Sequence, residues 1–282
     1  MSRWIQKGMS IPYLIPFIWF LFFLIIPLIW VLSYSFFKRG PYGTIDFEWN
    51  IASYVRTFDW VYLSIFLKSV QLALITAICS FILGFPIALM IVRATPKRKL
   101  FYLILILVPF WTNFIVRAFA VKVFLGDYGP INQFLIDLGW LSEPIPFTHH
   151  FLAVGFGMVS SYLPFMVLPL YSALEGFDRS LVDAARDLGA RSYDIIFKVL
   201  LPSIKEGIQS GFILVFVPAL GEFVIPSVLG GAKRVYIGTL ISDQFLKTRD
   251  WPFGSAMTTL LLIWTFVALA VVGRMRRKRA KL

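Results

Sequence analysis

The sequence is short of the residues on which most catalysis depends. It has one cysteine, Cys79, and two histidines, the adjacent His149 and His150. A single cysteine in an apolar run permits neither a disulfide within the chain nor a cysteine metal cage, and neighbouring histidines without HExxH spacing make no zinc site. The phosphate-loop pattern GxxxxGK[ST] and the nucleophile elbow GxSxG are both missing. No catalytic constellation is visible, and the chain carries no recognisable loop of its own for ATP. Charge is scarce too: charged residues make up 15% of the chain, and 15 acidic residues face 27 basic ones. The net charge of +12 does not imply nucleic acid, because the basic residues flank apolar runs instead of clustering on a polar domain.

Long apolar runs are what the chain has in abundance. Hydrophobic residues reach 59% and the mean hydropathy is +0.79, far above an ordinary soluble domain. The reading is an all-α membrane protein forming one transmembrane domain over residues 1–282. Six spans are expected, at about 11–37, 64–92, 100–125, 151–174, 207–229 and 254–273. Each is near or above the ~20 residues that a ~30 Å hydrocarbon core requires of a helix. The runs are continuous, not alternating, which favours helices over a barrel. Internal prolines such as Pro86, Pro109, Pro164 and Pro218 are tolerated in membrane helices as kinks. Arg3 and Lys7 before the first run resemble a signal peptide, but with no small-residue cleavage site the run reads as a retained anchor.

Lysine and arginine set the orientation. They concentrate in RATPKRK after the second span, in the long loop at 175–205 and in the tail RMRRKRAK, so both termini are expected on the cytoplasmic side. The tail's charge also suits anionic lipid.

Glu222, within PALGEFVIPSVLGG, is the one acidic residue expected at mid-span. A carboxylate at that depth needs a cavity or a partner, and the sequence leaves two roles open: a place on a substrate pathway, or an ion pair with Arg117 or Lys122. Gly221, Pro218 and Pro226 predict a broken helix around it. Trp111 and Asn113 in PFWTNFIVRAF are candidates for an aromatic and polar lining, with simple packing as the alternative for Trp111.

The loop 175–205 reads as two short helices. Asp178 or Ser180 can cap the first, with Asp183 in its first turn; Gly189 ends it, and Ser192 starts a second that runs to Pro202. Leu181, Ala184, Ala185 and Leu188 fall at helical spacing among Asp183, Arg186 and Asp187. The pattern fits docking into a partner's groove and a helix lying on the membrane surface equally well.

That stretch resembles the EAA coupling loop of ABC-importer permeases, matching at Ala184, Ala185, Gly189, Leu201 and Pro202, with Asp183 where the family usually has Glu. PFWTNFIVRAF, LPFMVLPLYSALE, PALGEFVIPSVLGG and RDWPFGSA are similar to segments of the spermidine/putrescine importer permeases, in particular the first of their two permease subunits. The resemblance implies a bacterial inner-membrane subunit with the six-helix type I ABC importer permease fold and a cytoplasmic coupling helix. It further implies a second permease subunit, a cytoplasmic ATPase dimer holding ATP and Mg, and an extracytoplasmic polyamine-binding protein, with no cofactor in this chain. Asp183, Ala184, Ala185, Asp187, Leu188, Gly189 and Ala190 would then contact the ATPase, while Glu222, Trp111, Tyr162 and Asn113 would line the pathway. A permease for iron, phosphate, a sugar or an opine is the rival within the class. An ATP-independent secondary transporter is a weaker fit, since there is no repeated half and only one intramembrane carboxylate.

Overall fold

A computed structural model describes residues 16–231 and 234–279; the start of the first expected span, 11–15, lies outside them. The helices in chain order are α1 Pro16–Tyr34, α2 Ala52–Thr57, α3 Trp60–Arg93, α4 Pro96–Trp111, α5 Phe114–Phe124, α6 Pro130–Asp137, α7 Phe151–Glu175 and α8 Ser180–Asp187. They continue as α9 Ser192–Ser203, α10 Lys205–Leu220, α11 Val224–Leu229, α12 Ile237–Leu246 and α13 Trp251–Arg279. Strands β1 Lys38–Arg39 and β2 Ile45–Asp46 form a small antiparallel hairpin between α1 and α2.

Four of these, α1, α3, α7 and α13, are helices long and apolar enough to cross a bilayer. Two expected spans are not continuous. The third bends by 97° between α4 and α5: Pro109 withholds an N–H, and Asn113 starts a new helix by accepting the Ile115 N–H at 2.8 Å, the ordinary N-cap role of Asn. The fifth, expected at 207–229, divides at Gly221–Phe223 into α10 and α11, and α9 meets α10 at a 70° bend. In both places proline and a capping side chain locally outcompete the apolar pattern; the first break was not expected, while the second falls where Gly221, Pro218 and Pro226 predicted it.

The chain groups into two compact units, 1–63 with 240–282, and 64–239. In the first, α13 packs on α1 and α2. Its start is fixed by Asp250, whose buried carboxylate caps the helix at the Phe253 N–H (3.3 Å) and pairs with Arg56 at 3.0 Å. Arg56 also lies over the Phe253 ring, 4.0 Å from its centroid, so this charge is covered on two sides.

The second unit is built around α7, whose Val154, Met158, Met166, Val167 and Leu170 are fully buried. Small residues on its neighbours let helix backbones approach, the usual basis of packing where lipid supplies no hydrophobic drive. A Cβ added at Gly211 of α10 would meet the Met166 sulfur at 2.6 Å, one at Gly207 the Pro169 carbonyl at 2.9 Å, and one at Gly84 of α3 the Met166 and Val167 side chains at 3.3 Å. These contacts hold α3 and α10 against α7, and the break between α10 and α11 faces Tyr162 of α7.

Candidate functional site

The break at Gly221–Phe223 is organised by Glu222. Its Oε1 accepts the backbone N–H of Val224 at 2.8 Å and of Ile225 at 3.4 Å, satisfying donors that the start of α11 leaves free. Its Oε2 accepts the hydroxyl of Tyr162 at 2.6 Å, a short bond of the kind a charged acceptor makes. Tyr162 is buried and Glu222 half-buried. Of the two roles left open by the sequence, the ion pair is not the arrangement found: Glu222 bonds to a phenol and backbone amides, and to neither Arg117 nor Lys122. Arg117 instead lies by the ring of Phe114 in its own helix, and its buried Nε has no hydrogen-bond partner.

An aromatic row extends from this pair. Tyr162 and Phe165 have ring centroids 6.1 Å apart, and Phe165 meets Phe110 edge-on at 4.9 Å. Trp111, one position on, is 82% exposed at the end of α4 and outside the row, because adjacent residues do not share a helix face. Asn113 is also apart from Glu222, its side chain committed to the cap of α5. The structure therefore brings together Tyr162 and Glu222 of the four expected pathway residues and adds Phe110 and Phe165.

Two further residues complete the break. Ser69 of α3, fully buried, accepts the N–H of Ile237 at 2.7 Å and so anchors the start of α12. Gly238 follows, and a Cβ there would fall against the carbonyl oxygens of Gly221 and Glu222, the latter at 2.6 Å. The sequence offered no signal for either: Ser69 reads as an ordinary small residue of an apolar span, and its partner is 168 positions away.

The second candidate site is the loop with α8 and α9. The carboxylate of Asp178 accepts the Ser180 N–H at 2.9 Å, and this bond holds it below the usual carboxylate range. Ser180 and Ser192 open their helices without side-chain caps. Gly189 has φ +78°; its N–H reaches the Arg186 carbonyl at 2.8 Å and the Ala190 N–H reaches that of Ala185 at 3.0 Å, a Schellman closure that favours glycine. The helix has two faces. Leu181, Ala184 and Leu188 are exposed, Leu188 at 89%, whereas Val182 and Ala185 are half-buried. The single stripe expected from spacing is thus divided, with Ala185 on the inner side. Asp183 and Arg186 pair at 3.4 Å in solvent, and Asp187 is exposed.

Comparison with known proteins agrees with this architecture. Residues 1–281 match the family described as binding-protein-dependent transport system inner membrane component. The spermidine/putrescine transport system permease protein PotB of Haemophilus influenzae is 41% identical, covering 93% of each chain. Its counterpart of the same name in Escherichia coli K12 is 37% identical, covering 92% of this chain and 94% of that protein. Among solved structures, a bacterial ABC transporter involved in the import of the acidic polysaccharide alginate superimposes with a TM-score of 0.77 at 19% identity, over 98% of this chain and 96% of that one. With its long helices and broken spans accounted for, the chain belongs to the inner-membrane components of binding-protein-dependent transport systems, as a multi-pass permease subunit with the type I ABC importer fold.

Proposed function

We propose that this permease carries polyamines, spermidine or putrescine, into the cell. The observation that carries the reading is the 41% and 37% identity, over more than nine-tenths of the chain, to permeases named for those two solutes. The chemistry of the break supports it: a polyamine is an extended polycation, and a half-buried carboxylate beside a row of aromatic faces stabilises ammonium groups without a deep, static site. Binding-protein dependence supplies an external partner, and the rest of the assembly is a second permease subunit and a cytoplasmic pair of ATPases that hold ATP and Mg. Both termini and the loop at 175–205 face the cytoplasm in this reading, as the basic residues require.

In this mechanism the exposed stripe Leu181, Ala184 and Leu188 enters a cleft of the ATPase. Closure of the ATPase dimer moves α8, the spans shift to an outward-open state, and cargo passes from the docked binding protein toward Glu222. The two states differ in their contacts with the ATPase, which is what lets ATPase closure bias the equilibrium between them.

The test is competitive uptake of labelled spermidine into vesicles holding the assembled complex. Unlabelled putrescine and spermidine should compete, while iron, phosphate and sugars should not. Failure of both polyamines to compete would overturn the assignment. Coupling has its own test in Gly189→Val. A β-branched residue in the left-handed region costs about 1–2 kcal/mol, so ATPase recovered in a pull-down should fall roughly 5- to 30-fold; full recovery would exclude docking through this turn.

A further inference from the structure

A cavity of about 310 Å³ lies behind α8, on the face opposite the exposed stripe. Three of its lining side chains are arginines, Arg93, Arg179 and Arg186, against one carboxylate, Asp183, and the remaining wall is mostly apolar, including Val182 and Phe177. The cations are only partly answered within the chain. Arg179 donates to the Val92 carbonyl at 3.3 Å and Arg186 pairs with Asp183 at 3.4 Å. Arg93, exposed at the end of α3, also lines a second cavity of about 410 Å³ with Arg98. An excess of guanidinium over carboxylate in a partly apolar recess suits a phosphate, which Arg binds by paired donors.

The surface beside Arg93 narrows the choice of phosphate. Ile82, Pro86 and Met90 follow one another at helical spacing on the exposed side of α3 and lead to Arg93 one turn later. Ile82 is 61% exposed and Met90 51%. An apolar track ending in a cationic recess at the end of a span has the form of an acyl chain joined to a charged headgroup.

We infer that the recess behind α8 binds the phosphate of an anionic phospholipid, whose chain lies along Ile82, Pro86 and Met90, so that the coupling helix rests on lipid on one side while its other face remains open. The site is independent of which solute is carried, and its test needs no transport.

The purified complex is placed in phosphatidylcholine nanodiscs with and without phosphatidylglycerol, and a fluorescent phosphatidylglycerol reports binding. Arg93→Gln and Arg179→Gln, both in the lining of the recess, should each weaken binding about fivefold, the usual share of one cation near an anionic surface. Arg93→Lys should restore most of the loss, and Lys205→Gln, exposed at the start of α10 and outside the recess, should leave binding unchanged. If Arg93→Gln does not assemble, Arg179→Gln reads the same loss. Equal binding in wild type, Arg93→Gln and Arg179→Gln would overturn the inference, as would an equal loss in Lys205→Gln, which would reduce it to general surface charge. Displacement of the probe by millimolar inorganic phosphate in place of lipid would assign the recess to a soluble anion and overturn the phospholipid.

Discussion

Glu222→Ala should reduce uptake by the assembled transporter at least a hundredfold, and Glu222→Gln by about tenfold. The carboxylate does two things that the two variants separate. It accepts the N–H groups of Val224 and Ile225 at the start of α11 and the hydroxyl of the buried Tyr162. Alanine leaves these donors without partners, and each unsatisfied buried group costs about 1–3 kcal/mol. Together they can displace the break from its working geometry, since ~1.4 kcal/mol is tenfold in population. Glutamine keeps an acceptor for the Val224 N–H, and its amide can donate to the Tyr162 oxygen, so the geometry survives while the charge is lost. The expected mark of a charge role is therefore a raised KM for spermidine in Glu222→Gln with a normal yield of complex. Wild-type kinetics in that variant would confine Glu222 to a structural cap. Tyr162→Phe removes one charge-assisted hydrogen bond and should fall between wild type and Glu222→Ala.

Gly238→Ala should lower uptake to below a tenth of wild type. The added methyl meets the Gly221 and Glu222 carbonyl oxygens, and because these are backbone atoms no rotamer change relieves the contact. Overpacking of this kind costs about 1–3 kcal/mol, and here the relief is a shift of α12 from the break or of the break itself. Ser69→Ala weakens the same junction from the other side by leaving the buried Ile237 N–H without its acceptor, at about 1–3 kcal/mol. Gly155→Ala is the control: a Cβ there meets nothing within 4 Å, and alanine favours the helix. Assembly measured by size-exclusion chromatography and uptake by the same vesicle assay should rank Gly155→Ala near wild type, Ser69→Ala intermediate and Gly238→Ala lowest. Wild-type uptake in Gly238→Ala would show that the contact is not maintained in the working transporter.

Hydropathy finds long apolar helices because burial in lipid is decided by composition over ~20 residues, a local quantity. It missed the break at Thr112–Asn113, where a proline and a capping side chain interrupt a run without making it less apolar, whereas the break at Gly221–Phe223 was marked by Gly221, Pro218 and Pro226. Gly189 was readable for the opposite reason: a left-handed closure depends on one residue and its immediate neighbours. At Trp111 the aromatic character of PFW was readable but its rotation about the helix was not. One residue turns a side chain by about 100°, so Phe110 packs on Phe165 while Trp111 points away.

From the sequence alone came the membrane location, the number of apolar runs, the left-handed turn after α8 and Glu222 as the carboxylate to explain. These rest on composition, periodicity and single-residue backbone preference, all of which act over a few residues or one helix. Only the tertiary structure decided what Glu222 does. Its partner Tyr162 lies 60 positions earlier, and Ser69 holds α12 across 168. Such pairings follow from how α3, α7 and α10 pack at their glycines, and side-chain meetings between distant helices leave no periodic trace in either one.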